Sequence, residues 1–315
     1  MDIIDFEEEK KPEGERVGVL ANKSEVVQIS IAIGIVFVLM LLVQSLTELM
    51  LSNYYNISTK IILEDVVAFM EQFGHDLNVF RLAQMINTLV VFGGGAIMMS
   101  YLITKTPFGF FKFNSSAKWT SLIYVPFMMM SVLPIAMVVQ HFISMIPFPE
   151  KWLEMQETMG ALQKGMLGDA SLSTFAVNLV MIAVLPAICE ELLFRGILQR
   201  LFIRATGTPH VGIVITGFVF GLIHMQIINL LPIAILGILL GYLYHWTQNI
   251  WFPILAHFFF NGMQALGFFM ATKNESFNNL EEMETLPIGI TLAAIAVFAA
   301  STYIFYSANK PISNG

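Results

Sequence analysis

The sequence predicts an all-α protein, a polytopic membrane bundle of about eight transmembrane helices. Three observations carry that prediction. Of 315 residues, 56% are hydrophobic and only 12% are charged, where a soluble globular protein carries roughly 25% charged residues. The apolar residues fall in runs long enough to cross a bilayer, separated by charged or Gly/Pro/Asn-rich breaks. One stretch, Ala205 to Thr272, holds 68 consecutive residues without Asp, Glu, Lys or Arg. A water-exposed surface of ordinary composition cannot be built from such a chain, which excludes a soluble enzyme, a nucleic-acid binder and a disordered scaffold. Alternation of the β-barrel kind is absent, leaving the helix as the element that satisfies its own backbone in lipid.

Taken in order, residues 1–25 hold eight acids and four bases around Pro12 and Gly14. They read as a disordered acidic cytosolic tail without a signal-peptide core. The bundle then covers 26–309, with spans expected at about 27–48, 83–104, 119–146, 172–203, 211–226, 228–245, 250–270 and 286–307. Between them, Ile61 to Phe80 and Trp152 to Met166 have helical periodicity and read as short helices lying at the outer interface.

Placing the N-terminus inside puts eleven Lys and Arg on the inner side, Lys105, Lys112, Lys118, Arg195, Arg200, Arg204 and Lys310 among them. The outer side receives five: Lys60, Arg81, Lys151, Lys164 and Lys273. The asymmetry predicts eight spans with both termini cytoplasmic. Cys189 is the single cysteine and reads as an apolar core residue, with neither a disulfide framework nor a CxxC site.

Few ionisable groups lie inside the bundle, and each is a functional candidate because burial in lipid is costly. On the fourth span, Glu191 and Arg195 are i,i+4 with the acid first, the favourable order for an ion pair. Glu190 points about 100° away round the helix, which leaves a second carboxylate free for general-base chemistry. Phe220 and His224 share a face of span five, and His257 and Asn261 share a face of span seven. Counted from the expected inner ends at ~1.5 Å per residue, Glu190 and His224 each lie about 20 Å deep. On the same count His257 and Asn261 lie at roughly 10 and 16 Å. Gly217/Gly221 and Gly237/Gly241 have the spacing that lets membrane helices approach closely, and are read as packing. Pro186 removes a backbone hydrogen bond in the turn before the acid pair, which either opens the helix or kinks it. His245 is read as interfacial, His75 and His210 as loop residues, and His141 as lying near a helix end.

Glu190-Glu191-xxx-Arg195, Phe220-xxx-His224 and His257-xxx-xxx-xxx-Asn261, in this order on successive helices, together resemble the CAAX protease and bacteriocin-processing family. These intramembrane proteases include the type II CAAX prenyl endopeptidases. The resemblance covers a core of about 172–270. It implies an intramembrane endopeptidase of a bacterial plasma membrane, acting on a membrane-associated or prenyl/CAAX-like peptide or protein. By that resemblance Glu190 and His224 activate the attacking water, His257 and Asn261 stabilise the oxyanion, and Glu191 and Arg195 support them. No cofactor is expected, Asn261 beside His257 suiting an oxyanion site. The alternative is a zinc enzyme with Glu190, His224 and His257 as ligands. The expected partners are membrane lipid and the substrate, with no nucleic acid. Two other classes remain: a non-proteolytic membrane regulator or immunity protein, which does not require all four polar groups, and a proton-coupled transporter, which requires an inverted repeat that the chain does not show.

Overall fold

Runs of apolar residues without charge can satisfy their backbone in lipid only as helix, and helices are what the chain forms. The computed structural model describes residues 18–310 apart from 75, 105, 115–116, 169–170 and 275–286. Residues 1–17 of the expected tail, the loop residue His75 and the inner-side Lys105 lie outside the described residues. In chain order the helices are α1 (Glu25–Tyr55), α2 (Thr59–Glu64), α3 (Val66–Phe73), α4 (Asn78–Ile103), α5 (Pro107–Phe110), α6 (Trp119–Ser144), α7 (Glu150–Leu167), α8 (Leu172–Thr206), α9 (Pro209–Ile223), α10 (Leu230–Thr247), α11 (Trp251–Ala271) and α12 (Ile288–Asn309). No β-strand occurs among the described residues.

Seven of these, α1, α4, α6, α8, α10, α11 and α12, are long and apolar enough to cross a membrane. Large apolar side chains such as Ile33, Phe37, Met130 and Leu292 stand exposed on their outer faces, the arrangement of a protein integral to a bilayer. The expected span over 211–226 is shorter than read. It is α9, with 15 residues, about 22 Å at ~1.5 Å per residue, against the ~20 residues that a full span needs. Its last turn tightens as the His224 amide donates to the Gly221 carbonyl at 3.3 Å and the Met225 amide to Leu222 at 3.1 Å. Met225 then takes a left-handed φ of 53°, which stops the helix. Hydropathy could not see this stop, because Ile227 and Ile228 continue the apolar run across the turn.

The segments read as interfacial helices form α2, α3 and α7, but they fold against one another. With the end of α1 they enclose a small core of Leu51, Tyr55, Ile62, Phe69, Leu77 and Leu162. Asp65 caps α3 by accepting the Ala68 amide at 2.9 Å, a standard N-cap bond.

Around the site the helices approach closely. Gly207 ends α8 in the left-handed region at φ 69°, and Pro209 opens α9 as its first residue. A side chain at Gly217 would meet the Ala234 carbonyl at 2.9 Å, and one at Gly237 would meet the Gly217 Cα at 3.1 Å. The packing role read for these glycines is what the structure shows between α9 and α10. Cys189 is buried in the core, where its Sγ lies 3.1 Å from where a side chain at Gly93 of α4 would begin.

Candidate active site

The acid pair lies on α8 between two π-helical turns, Val180–Val184 and Phe194–Leu198. Such wider turns are rare and frequent at functional sites. Their effect here is to let one helix face several neighbours. Glu191 is fully buried. Its Oε1 accepts from Arg195 Nη1 at 2.6 Å and from His257 Nδ1 at 2.8 Å. The expected i,i+4 ion pair therefore forms, and it extends to α11. Arg195 reaches α10 as well, donating Nη2 to the Gly237 carbonyl at 2.8 Å, and its guanidinium lies 4.9 Å from the Phe220 ring centre, within cation–π reach.

Glu190 is turned away from that network. It is 7% exposed, and its Oε2 is buried with no hydrogen-bond partner among the described residues. The ionisable groups near it are His257, His224, Glu191 and Arg195, so the separate clusters of the sequence meet at this carboxylate. The two adjacent acids thus differ: each keeps a buried, unpartnered Oε2, but only Glu191 is held by nitrogen donors, Arg195 and His257, at its Oε1.

Both histidines have a defined proton. His224, just past the end of α9, places Nδ1 2.7 Å from the Phe220 carbonyl. A carbonyl only accepts, so Nδ1 carries hydrogen and Nε2 is left with a lone pair when the ring is neutral. His257 Nδ1 faces the Glu191 oxygen that also takes Arg195. An ionised carboxylate only accepts too, so His257 can donate from Nε2 only as the imidazolium. The Phe220 ring packs between them, 4.8 Å from His224 and 5.8 Å from His257 by ring centres.

Asn261 has a partner that the sequence did not suggest. Its Nδ2 donates to the Ile182 carbonyl at 2.8 Å. Ile182 stands four residues before Pro186, and proline has no N–H to give the carbonyl four residues earlier. The carbonyl that Pro186 leaves bare in α8 is satisfied from α11. One amide hydrogen of Asn261 is used in this way, and the second remains for another acceptor.

Among the described residues no three His, Cys, Asp or Glu side chains converge to hold a metal ion, while the Nδ1 bonds of both histidines leave each Nε2 free, an arrangement that metal-binding histidines also use. Of the histidines given no chemistry, His210 lies in the first turn of α9 and not in a loop, because Pro209 starts that helix, and its Nδ1 pairs with the Tyr242 hydroxyl at 2.8 Å. His245 is buried in the last turn of α10, and His141 is in the last turn of α6. Sequence reasoning missed Gln199, which continues the Glu191/Arg195 face by four residues and donates Nε2 to the Gly241 carbonyl at 3.0 Å. The repeated four-residue step was the available signal. The Gly237 and Ile182 carbonyls left no sequence signal of their own.

The class defined by this architecture is a polytopic α-helical membrane protein with a sequestered carboxylate–histidine cluster. Residues 172–263 match the family model described as type II CAAX prenyl endopeptidase Rce1-like, so the resemblance read from the motifs holds over that segment. Two proteins of Bacillus subtilis (strain 168) are similar. The uncharacterized protein YpbD is 28% identical over 92 residues, which is 28% of this chain and 44% of that protein. YdiL, whose naming as a membrane peptidase is itself provisional, is 33% identical over 88 residues, 27% of this chain and 36% of that protein. The chain spans less than half the length of these curated relatives. No solved structure matches it significantly.

Proposed function

We propose that this protein is an intramembrane endopeptidase of the CAAX type, with its active centre in residues 172–270, and that it hydrolyses a membrane-associated or prenyl/CAAX-like peptide or protein. The observation that carries the reading is the split between the two acids. Glu191 is paired with Arg195 and bonded to His257 through Oε1, while Glu190, beside it and also buried, has no such partner among the described residues. In this reading Glu190 and the His224 Nε2 lone pair hold a water and take its proton as its oxygen attacks the scissile carbonyl. The oxyanion receives hydrogen bonds from His257 Nε2–H and from the second Asn261 amide hydrogen. The imidazolium this requires has the Glu191 carboxylate at its back. Collapse of the tetrahedral intermediate breaks the C–N bond, and the proton held by Glu190 passes to the leaving amine. The protein works in this scheme without a bound metal, in a bacterial plasma membrane with both termini cytoplasmic, among lipids and without nucleic acid.

Glu190→Gln tests the mechanism. Membrane proteomes of cells carrying wild type or this variant are compared for proteins that accumulate uncleaved. Purified wild type should cleave such a protein, while the variant, with an unchanged melting temperature, should be slower by at least about 100-fold. Full activity in Glu190→Gln overturns the mechanism.

A further inference from the structure

The seam between α8 and α10 holds more than the site. We propose that a file of internal water runs along it, joining the acid pair to the end of the bundle where α8 and α10 finish. Five buried polar atoms have no hydrogen-bond partner among the described residues and follow one another down this seam: Glu191 Oε2, Arg195 Nε, Gln199 Oε1, the Tyr244 hydroxyl and Asn249 Nδ2. None of the five residues is more than 2% exposed.

Their order is set by the two helices. Glu191, Arg195 and Gln199 step along α8 four residues at a time. Arg195 and Gln199 grip carbonyls of Gly237 and Gly241, also four apart, on α10. Tyr244 stands one turn beyond Gly241, and Asn249 follows the end of α10. At Gly241 a side chain would begin 2.7 Å from Gln199 Oε1, so only a glycine here lets that oxygen lie against the α10 backbone.

Lipid offers these atoms nothing, and buried polar groups in proteins are paired with protein or with water. The chemistry of the set selects water over an ion. Glu191 and Gln199 present acceptors, Arg195 and Asn249 present donors, and Tyr244 can be either. A cation or an anion would satisfy one half of such a series and repel the other. Water, making two to four bonds of both kinds, satisfies both. Hydrolysis consumes one water per turnover in a bundle sealed by apolar side chains, and the file would supply it. That use rests on the peptidase reading; the hydration itself does not.

Hydroxyl-radical footprinting of the full-length wild-type protein in detergent, read by mass spectrometry, tests the file, because radicals formed from bound water oxidise side chains beside it even when buried. Tyr244 should be modified about tenfold faster than Phe252, which is as deeply buried in an apolar cluster. Equal slow modification of the two overturns the proposal. The Glu190→Gln protein should show the same Tyr244 labelling as wild type, so a failure of the peptidase mechanism leaves this result readable. Tyr244→Phe then deletes a single oxygen at constant shape. Against a protein that accumulates in Glu190→Gln membranes, it should lower kcat several-fold at unchanged KM, and full turnover would show that the file, though wet, does not supply the reaction.

Discussion

The seam around Glu191 and the cap that α2, α3 and α7 form with the end of α1 around Tyr55 are both buried, and they are held by different physics. In the cap, Tyr55 meets Phe69, Phe73 and Phe80 at ring-centre distances of 5.2, 5.0 and 5.8 Å. These are apolar ring contacts, two of them edge-to-face, with no charge to be stranded. The hydroxyls of Tyr54 and Tyr55 point out to Asp76, at 2.5 Å to its carboxylate and 2.7 Å to its carbonyl. In the seam, by contrast, one carboxylate oxygen accepts from two nitrogen donors on two helices, and each atom left over is buried. A cluster of the first kind can lose volume and relax. One of the second kind cannot lose a partner cheaply, because the charge left behind is buried away from bulk solvent. That contrast orders the effects of substitution.

The largest effect is expected at Arg195. Arg195→Leu strands Glu191 in a fully buried position, a loss of about 3–5 kcal/mol for breaking one side of a buried pair. The folded protein should melt far lower or fail to accumulate. Removing both charges with Glu191→Gln and Arg195→Met should recover much of that stability, as isosteric replacement of whole buried pairs does, without restoring cleavage, because His257 then lacks its counter-charge. Thermal melting of the purified variants decides; a double variant no more stable than the single one would show that charge pairing does not hold the seam.

Pro186→Ala comes next. It restores an N–H four residues after Ile182, so that the carbonyl regains a helical partner and Asn261 loses the bond that aims it. Turnover should fall about tenfold, less than outright loss of an oxyanion donor, with little change in melting. The same substitution in an Asn261→Ala background should add nothing, since the two act as one unit. Independent, additive losses in a double-mutant cycle would separate proline from asparagine.

The unequal legibility of the two regions follows from the same contrast. Long apolar runs and helical periodicity are averages over many residues, and so the bundle, the cap helices and the Glu191–Arg195 pair could be read directly. The end of α9 could not, because it depends on one left-handed residue, Met225, inside an apolar run. Nor could the bond from Asn261 to Ile182 be read: the sequence shows that Pro186 bares a carbonyl, but not which distant helix covers it. The split of the acids was legible from the 100° step, whereas the reach of Glu191 to His257 and of Arg195 to Gly237 needed the α8–α10–α11 packing.

In the cap the effects should shrink. Phe69→Leu keeps an apolar side chain in the aromatic cluster and should cost about 1 kcal/mol, with cleavage unchanged. Smaller still is Lys60→Ala on α2. Lys60 Nζ and Glu64 Oε1 lie 3.6 Å apart at i,i+4, and the two side chains are 83% and 63% exposed. Water screens such a pair, and holding two long side chains in one geometry costs entropy, so exposed pairs of this kind contribute roughly 0–1 kcal/mol. The helix gains nothing else from Lys60, and Ala at its place has the higher helix propensity. The melting temperature and the cleavage rate of Lys60→Ala should both match wild type within error. A drop comparable to that of Phe69→Leu would mean that the cap too is held by charge, and the division between tolerant packing and intolerant pairing would have to be redrawn.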